Sequence, residues 1–248
     1  MHLSKLERRL LRAVGRAVQE FDLIGPGQKV LACVSGGKDS VGMLHLLSLH
    51  RARVPFDFTL TAMLLDQGQP GFDPTPLLTW AAERGHDLRL VRQDTYRTVR
   101  EKLQPHEIPC PLCARLRRGR LYREAFERGA DRIAFGHHRD DVLETLLLNL
   151  FYSGSLGAMA PRLTSDDGRN VLIRPLFYCA EEDLVALAAE QAFPILPCGL
   201  CDGQPDQKRQ EMKALLARLQ ADNPKVKGNM LAAMGNVNPS HLLDRKLW

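Results

Sequence analysis

Over residues 5–21, apolar and charged positions follow the pattern of an amphipathic helix, which the Gly-Pro-Gly at 25–27 ends. The stretch "KVLACVS" at 29–35 is apolar and rich in β-branched residues, as in a strand buried on both faces. Helical patterning returns over 40–50. A second strand at 57–65 ends at Asp66, a helix follows over 74–84, and a third strand covers 87–93. Residues 113–128 predict a helix, 131–137 a fourth strand, and about 140–151 another helix. A fifth strand lies at 170–176 and a helix at 181–191, and closing helices occupy 207–234. Strands that alternate with helices need crossover connections. The expected fold is therefore α/β, with a five-stranded parallel sheet flanked by helices. The break at 25–27 sets off an N-terminal helical appendage, residues 1–26, from a sheet domain, residues 27–248.

Composition narrows the class only slightly. The chain has 248 residues, and its hydrophobic fraction of 44% allows a substantial core. It has no apolar run of membrane-span length and no signal-peptide pattern, so a cytoplasmic protein with no membrane partner is expected. The net charge of +5 is modest, which makes its distribution more informative than its total. Lys5, Arg8, Arg9, Arg12 and Arg16 recur at near-helical spacing, and a second basic cluster runs from Arg115 to Arg123. Each cluster reads either as a solvated helix face or as a seat for a polyanion.

The sharpest chemistry lies in "SGGKDS", residues 35–40, between a predicted strand and a predicted helix. Parallel sheets bind ligands at the carboxyl ends of their strands. Gly36 and Gly37 let backbone N–H groups approach an anion, and the helix N-terminus adds partial positive charge. Lys38 adds a full charge, and Ser35 and Ser40 add hydroxyls. The spacing is not that of a Walker A loop. Asp39, an acid inside a phosphate loop, points to a bridging Mg²⁺. The string resembles the pyrophosphate loop of the PP-loop ATPases. That resemblance implies cleavage of ATP between its α and β phosphates and adenylation of a carbonyl oxygen.

Four of the six cysteines form two Cys-x-x-Cys pairs, Cys110 with Cys113 and Cys198 with Cys201. A zinc site, a redox disulfide and an iron–sulfur cluster all fit that spacing. Cys33 and Cys179 read as small buried hydrophobes. "FGHHRDD" at 135–141 ends the fourth strand, so His137, His138, Asp140 and Asp141 are expected at the same sheet edge as the loop. Asp140 and Asp141 read as helix caps or as groups that bind Mg²⁺ or position substrate.

"CPLCARLRRG", "GHHRDD", "IRPL" and "PCGLCDGQPDQKRQ" together resemble the tRNA 2-thiocytidine synthetase (TtcA) family of PP-loop ATPases, and the likeness runs through "NVNPSHLLD" at 236–244. The resemblance implies a Rossmann-like fold of the adenine nucleotide alpha hydrolase type and ATP-dependent thiolation of C2 of cytidine 32 in the tRNA anticodon loop. It implies a [4Fe–4S] cluster on Cys110, Cys113 and Cys201, with Cys198 close by but unligated. It places ATP on Ser35 to Ser40, Asp66 and His137, with Mg²⁺ on Asp39. Lys38, Asp39, Asp140 and Asp141 become the catalytic set, and Arg115, Arg117, Arg118 and Arg120 the tRNA contacts. A cysteine desulfurase as persulfide donor and a homodimer are also implied. The alternatives are a tRNA 2-thiouridine synthetase or other PP-loop ligase and, in a different class, a zinc-stapled RNA-binding protein without catalysis.

Overall fold

The computed structural model describes residues 3–102, 110–196 and 207–243. The chain divides into two compact units, residues 1–138 with 160–204 and residues 139–159 with 205–248.

The first unit is built on a six-stranded sheet. Its strands are β1 Lys29–Val34, β2 Thr59–Asp66, β3 Leu88–Arg92, β4 Arg132–Ala134, β5 Arg162–Thr164 and β6 Val171–Ile173, in the order β3-β2-β1-β4-β6-β5. Every pairing is parallel except that of β5 with β6. The five expected strands are present, and the sheet is Rossmann-like as expected. The added strand, β5, is three residues long and exposed throughout, so no apolar run marks it in the sequence. From β1 the chain steps outward through β2 to β3, then returns to the far side of β1 as β4. The carboxyl ends of β1 and β4 therefore flank a topological switch point, where open parallel sheets take their ligands.

All of β1 except Lys29 is buried, as a central strand requires. Leu31 and Cys33 join Met63, Leu65, Val91 and Ile133 in a core closed by Leu121 and Ala125 of α5, Cys110–Glu127. α2, Lys38–Arg51, packs on β1 and β2 and meets the residues that alternate with these. Every residue of α2 from Ser40 to Leu47 is buried, because α1, Lys5–Glu20, and α7, Glu181–Glu190, also pack on it. α1 turns Leu10, Val14, Ala17 and Val18 inward, the leucine and the two valines each contributing about 1.5–3 kcal/mol on burial. Its start is a capping box between Ser4 and Glu7, and the Glu7 carboxylate also reaches His45 Nε2 on α2 at 2.9 Å. Two further helices, α3 Thr75–Glu83 and α4 Thr95–Lys102, complete the unit. The sequence pattern misses α4, which is short, strongly polar and buries only Thr95 and Val99.

The second unit is helical: α6 Arg139–Tyr152, α8 Gln207–Asp222 and α9 Val226–Gly235. Its core is Leu143, Leu147, Met212 and Leu216, with Met230, Leu231 and Met234 packed against it. Among the described residues no helix is long and apolar enough to cross a membrane.

Candidate nucleotide and thiol site

The loop after β1 is shaped by its own polar groups. Ser40 Oγ accepts from Ser35 N–H at 3.0 Å and donates to Gly37 O at 2.9 Å, and it lies 3.1 Å from Ser35 Oγ. The Ser40 hydroxyl thus staples the turn as well as offering polarity to a ligand. Gly36 has φ +87°, a backbone setting that disfavours side chains, and its carbonyl accepts from Leu196 N–H at 2.9 Å. A Cβ on Gly36 would sit 2.8 Å from Leu196 Cβ. The chain leading toward the second cysteine pair is therefore tied to the phosphate loop through Leu196.

Gly136, after β4, is packed as tightly. A Cβ there would lie 2.9 Å from Ser40 N and 3.0 Å from Asp39 C and O. Glycine lets the β4 loop touch the backbone of the β1 loop, a requirement that the sequence reading passes over. His138, two residues on, is buried with Nε2 3.7 Å from Asp39 Oδ1. That oxygen is itself buried and has no hydrogen bond among the described residues. An orphaned carboxylate oxygen beside a phosphate loop is a fitting ligand for Mg²⁺. His137 is half-buried, its ring against Phe135 at 6.0 Å.

Lys38 Nζ lies 3.0 Å from Asp39 Oδ2 and 3.3 Å from Glu181 Oε1 at the start of α7. Burial works against the ammonium, but Asp39 and Glu181 outweigh it and raise the Lys38 pKa. The lysine is thus a fixed positive charge. Glu181, distant in sequence, is a site residue that pattern reading does not find.

Asp66 ends β2. Its Oδ1 accepts from Gly68 N–H at 2.9 Å, and its Oδ2 is 3.5 Å from Arg92 Nε. The next residue, Gln67, is buried, and the Cys113 thiol lies 3.5 Å from its Oε1. Cys110 begins α5, one turn before Cys113. Cys198 and Cys201 lie outside the described residues. Soft thiolates at such spacing suit zinc and iron–sulfur ligation alike. Cys33 and Cys179 are buried. Burial pushes the Cys33 thiol up to about 12 despite the opposing field of Arg117, so it stays protonated.

The basic run on α5 divides in two. Arg115, Arg117 and Arg118 are exposed. Arg120 instead pairs with the buried Glu124, which Arg128 also holds at 2.8 Å. The resemblance assigns these arginines to tRNA phosphate, and on that expectation replacing Arg117 and Arg118 together by alanine weakens tRNA binding. It should also flatten the log–log salt slope by up to about 0.7–0.9 per lost phosphate contact. Binding titrations across a salt series read this, and an unchanged slope would return the pair to a solvated role.

In the second unit, Asp140 and Asp141 open α6. Asp140 is buried with Lys227 Nζ at 2.6 Å, and Asp141 lies 3.6 Å from Arg209, which also bonds Glu144 at 3.2 Å.

Residues 4–194 match the profile of the PP-loop domain. A tRNA-cytidine(32) 2-sulfurtransferase of Anaeromyxobacter dehalogenans is 52% identical over 99% of this chain and 84% of that protein. The same-named protein of Sorangium cellulosum is 51% identical over 98% and 86%. Among solved structures, the U34-tRNA thiolase NcsA from Methanococcus maripaludis, determined with its [4Fe-4S] cluster, superposes with a TM-score of 0.74 at 23% identity. That superposition covers 93% of this chain and 78% of NcsA, and at such identity it speaks to the fold.

Proposed function

This chain belongs to the PP-loop family of tRNA-cytidine(32) 2-sulfurtransferases, and we propose that it uses ATP to exchange the C2 oxygen of cytidine 32 for sulfur. One juxtaposition supports this reading most. An anion-binding loop with a fixed lysine charge follows β1, and the Cys113 thiol stands at the end of the neighbouring strand β2. Phosphate chemistry and sulfur chemistry share one sheet edge.

A pyrimidine C2 oxygen is a very poor leaving group. Transfer of AMP to it turns it into one that departs as AMP when sulfur attacks. In the first step pyrophosphate leaves with growing negative charge. The Lys38 ammonium and the backbone N–H groups of Gly36, Lys38 and Asp39 are placed to stabilise that charge, with α2 presenting its N-terminus. Asp39 would hold Mg²⁺, which supplies further charge at the departing phosphates. Asp66 and His137 take the adenosine side. Asp140 and Asp141, each beside a basic side chain, serve in substrate positioning. Arg115, Arg117 and Arg118 hold the tRNA backbone, so that base 32 can be splayed from the loop. Arg120, already paired with Glu124, contributes least.

Cys110, Cys113 and Cys201 would hold a [4Fe–4S] cluster, whose one iron without a cysteine supplies a place for the sulfur to be transferred. Persulfide from a cysteine desulfurase, a thiol or other two-electron reductant that brings its outer sulfur to the sulfide level, a homodimer and a cytoplasmic setting complete the proposal.

The test joins nucleoside and metal analysis. Expression in a strain unable to thiolate cytidine 32 should restore 2-thiocytidine in its tRNA. Oxygen-free preparations should contain about four irons per chain. Cys110→Ala, Cys113→Ala and Cys201→Ala should each lose iron and thiolation together, while Cys198→Ala keeps iron. Bound zinc that needs all four cysteines, with no thiolation, would instead establish the zinc-stapled RNA-binding protein.

A further inference from the structure

Gln67 is the buried residue that separates Asp66 from the loop after β2. Thr95 Oγ1 donates to its Oε1 at 3.1 Å, and Cys113 Sγ lies 3.5 Å from the same oxygen. The backbone around it is held at three points. Asp66 O accepts from Gln93 N–H, Asp66 Oδ1 from Gly68 N–H and Gln67 O from Tyr96 N–H, each at 2.9 Å. Here the fixed amide links β2 to the first turns of α4 and α5.

We propose that Gln67 is a positioning residue for the cluster, one that donates an N–H···S hydrogen bond to the iron-bound Cys113 thiolate. This rests on the [4Fe–4S] reading above. In the thiol state, Cys113 S–H and Thr95 O–H both donate to Oε1. When the sulfur binds iron its proton leaves to solvent, and a thiolate facing a carbonyl oxygen is repelled. A half-turn of the carboxamide exchanges Oε1 for Nε2, which carries two hydrogens. One then goes to Cys113 Sγ and the other to Thr95 Oγ1, since a hydroxyl accepts as well as it donates. Both contacts survive with their polarity reversed. Paired with a hydroxyl, an amide can serve the sulfur in either protonation state, which neither a lysine nor a carboxylate can do. Hydrogen bonds to cluster sulfurs stabilise the more negative, reduced form and so raise the reduction potential.

Anaerobically reconstituted wild-type, Gln67→Met and Thr95→Val proteins would be compared by iron content and by redox titration of the cluster. Methionine keeps the length and loses the N–H. Gln67→Met should retain iron with its potential shifted to more negative values. Thr95→Val should shift the same way by less, because Gln67 remains but loses its second partner. Pulsed EPR of the reduced wild-type cluster, with ¹⁵N in the glutamine side chains, should show a weak nitrogen coupling that Gln67→Met abolishes. This spectrum decides the matter even if the variant fails to assemble a cluster, since no coupling in the wild type overturns the proposal. An iron-loaded Gln67→Met protein with an unchanged potential also overturns it. Wild-type protein that takes up no iron overturns the cluster reading together with the inference, which is a distinct result.

Discussion

Lys38→Ala is expected to cut ATP-dependent thiolation by on the order of 10²–10³-fold, the usual cost of removing one preorganised donor from a developing anion. tRNA affinity should hold, because the residue faces the phosphate loop rather than the exposed arginines of α5. The loss has two parts. The ammonium is no longer present for the pyrophosphate, and Asp39 and Glu181, which it links at 3.0 and 3.3 Å, lose its positive charge beside a polyanion. Glu181→Gln added to Lys38→Ala should therefore recover part of the ATP binding, though not the rate. Pyrophosphate release and 2-thiocytidine formation measure both. Undiminished pyrophosphate release by Lys38→Ala would remove the adenylation chemistry assigned to this loop.

Gly136→Ala should be nearly as damaging without touching any ligand-bearing side chain. The new methyl meets Ser40 N at 2.9 Å and Asp39 C and O at 3.0 Å, and these are backbone atoms of the first turn of α2. No rotamer change relieves such a contact, so the β1 loop and the β4 loop must move apart. A displacement of an ångström or less at a reacting centre costs up to about 10²-fold. The expected result is a folded protein with a lowered thermal midpoint, a raised KM for ATP and a kcat lower by about that factor. Wild-type kinetics in the alanine variant would mean that the approach of the two loops carries no catalytic weight.

Much of the molecule is legible in its sequence because the buried strands of the parallel sheet are apolar runs and α1 carries a clear helical period. β1 and the glycine–lysine loop after it are the clearest case. β5 is not legible, since a short exposed antiparallel edge strand needs no apolar residue. Site residues divide in the same way. Lys38 and Asp39 announce themselves by local pattern. Glu181 and Gln67 act through contacts that only the fold creates, and Gly136 acts through the absence of an atom. Arg120 is a different case. In sequence it joins a basic run, but its i,i+4 partner Glu124 takes its charge, and that spacing is a signal the chain does carry. The pairing of Asp140 with Lys227 of α9 has no such local mark.

The burial of α2 on nearly every face has a consequence for how nucleotide is received. A helix with a bare outer side can fray, and its amides exchange with solvent through local openings of little free energy. Between Ser40 and Leu47, α2 offers no bare side, so its amides should open only when the first unit opens as a whole. The turn at its head is then already formed when ATP arrives. The conformational entropy of shaping that turn is settled during folding, and affinity for the phosphates is not diminished by an ordering step on encounter.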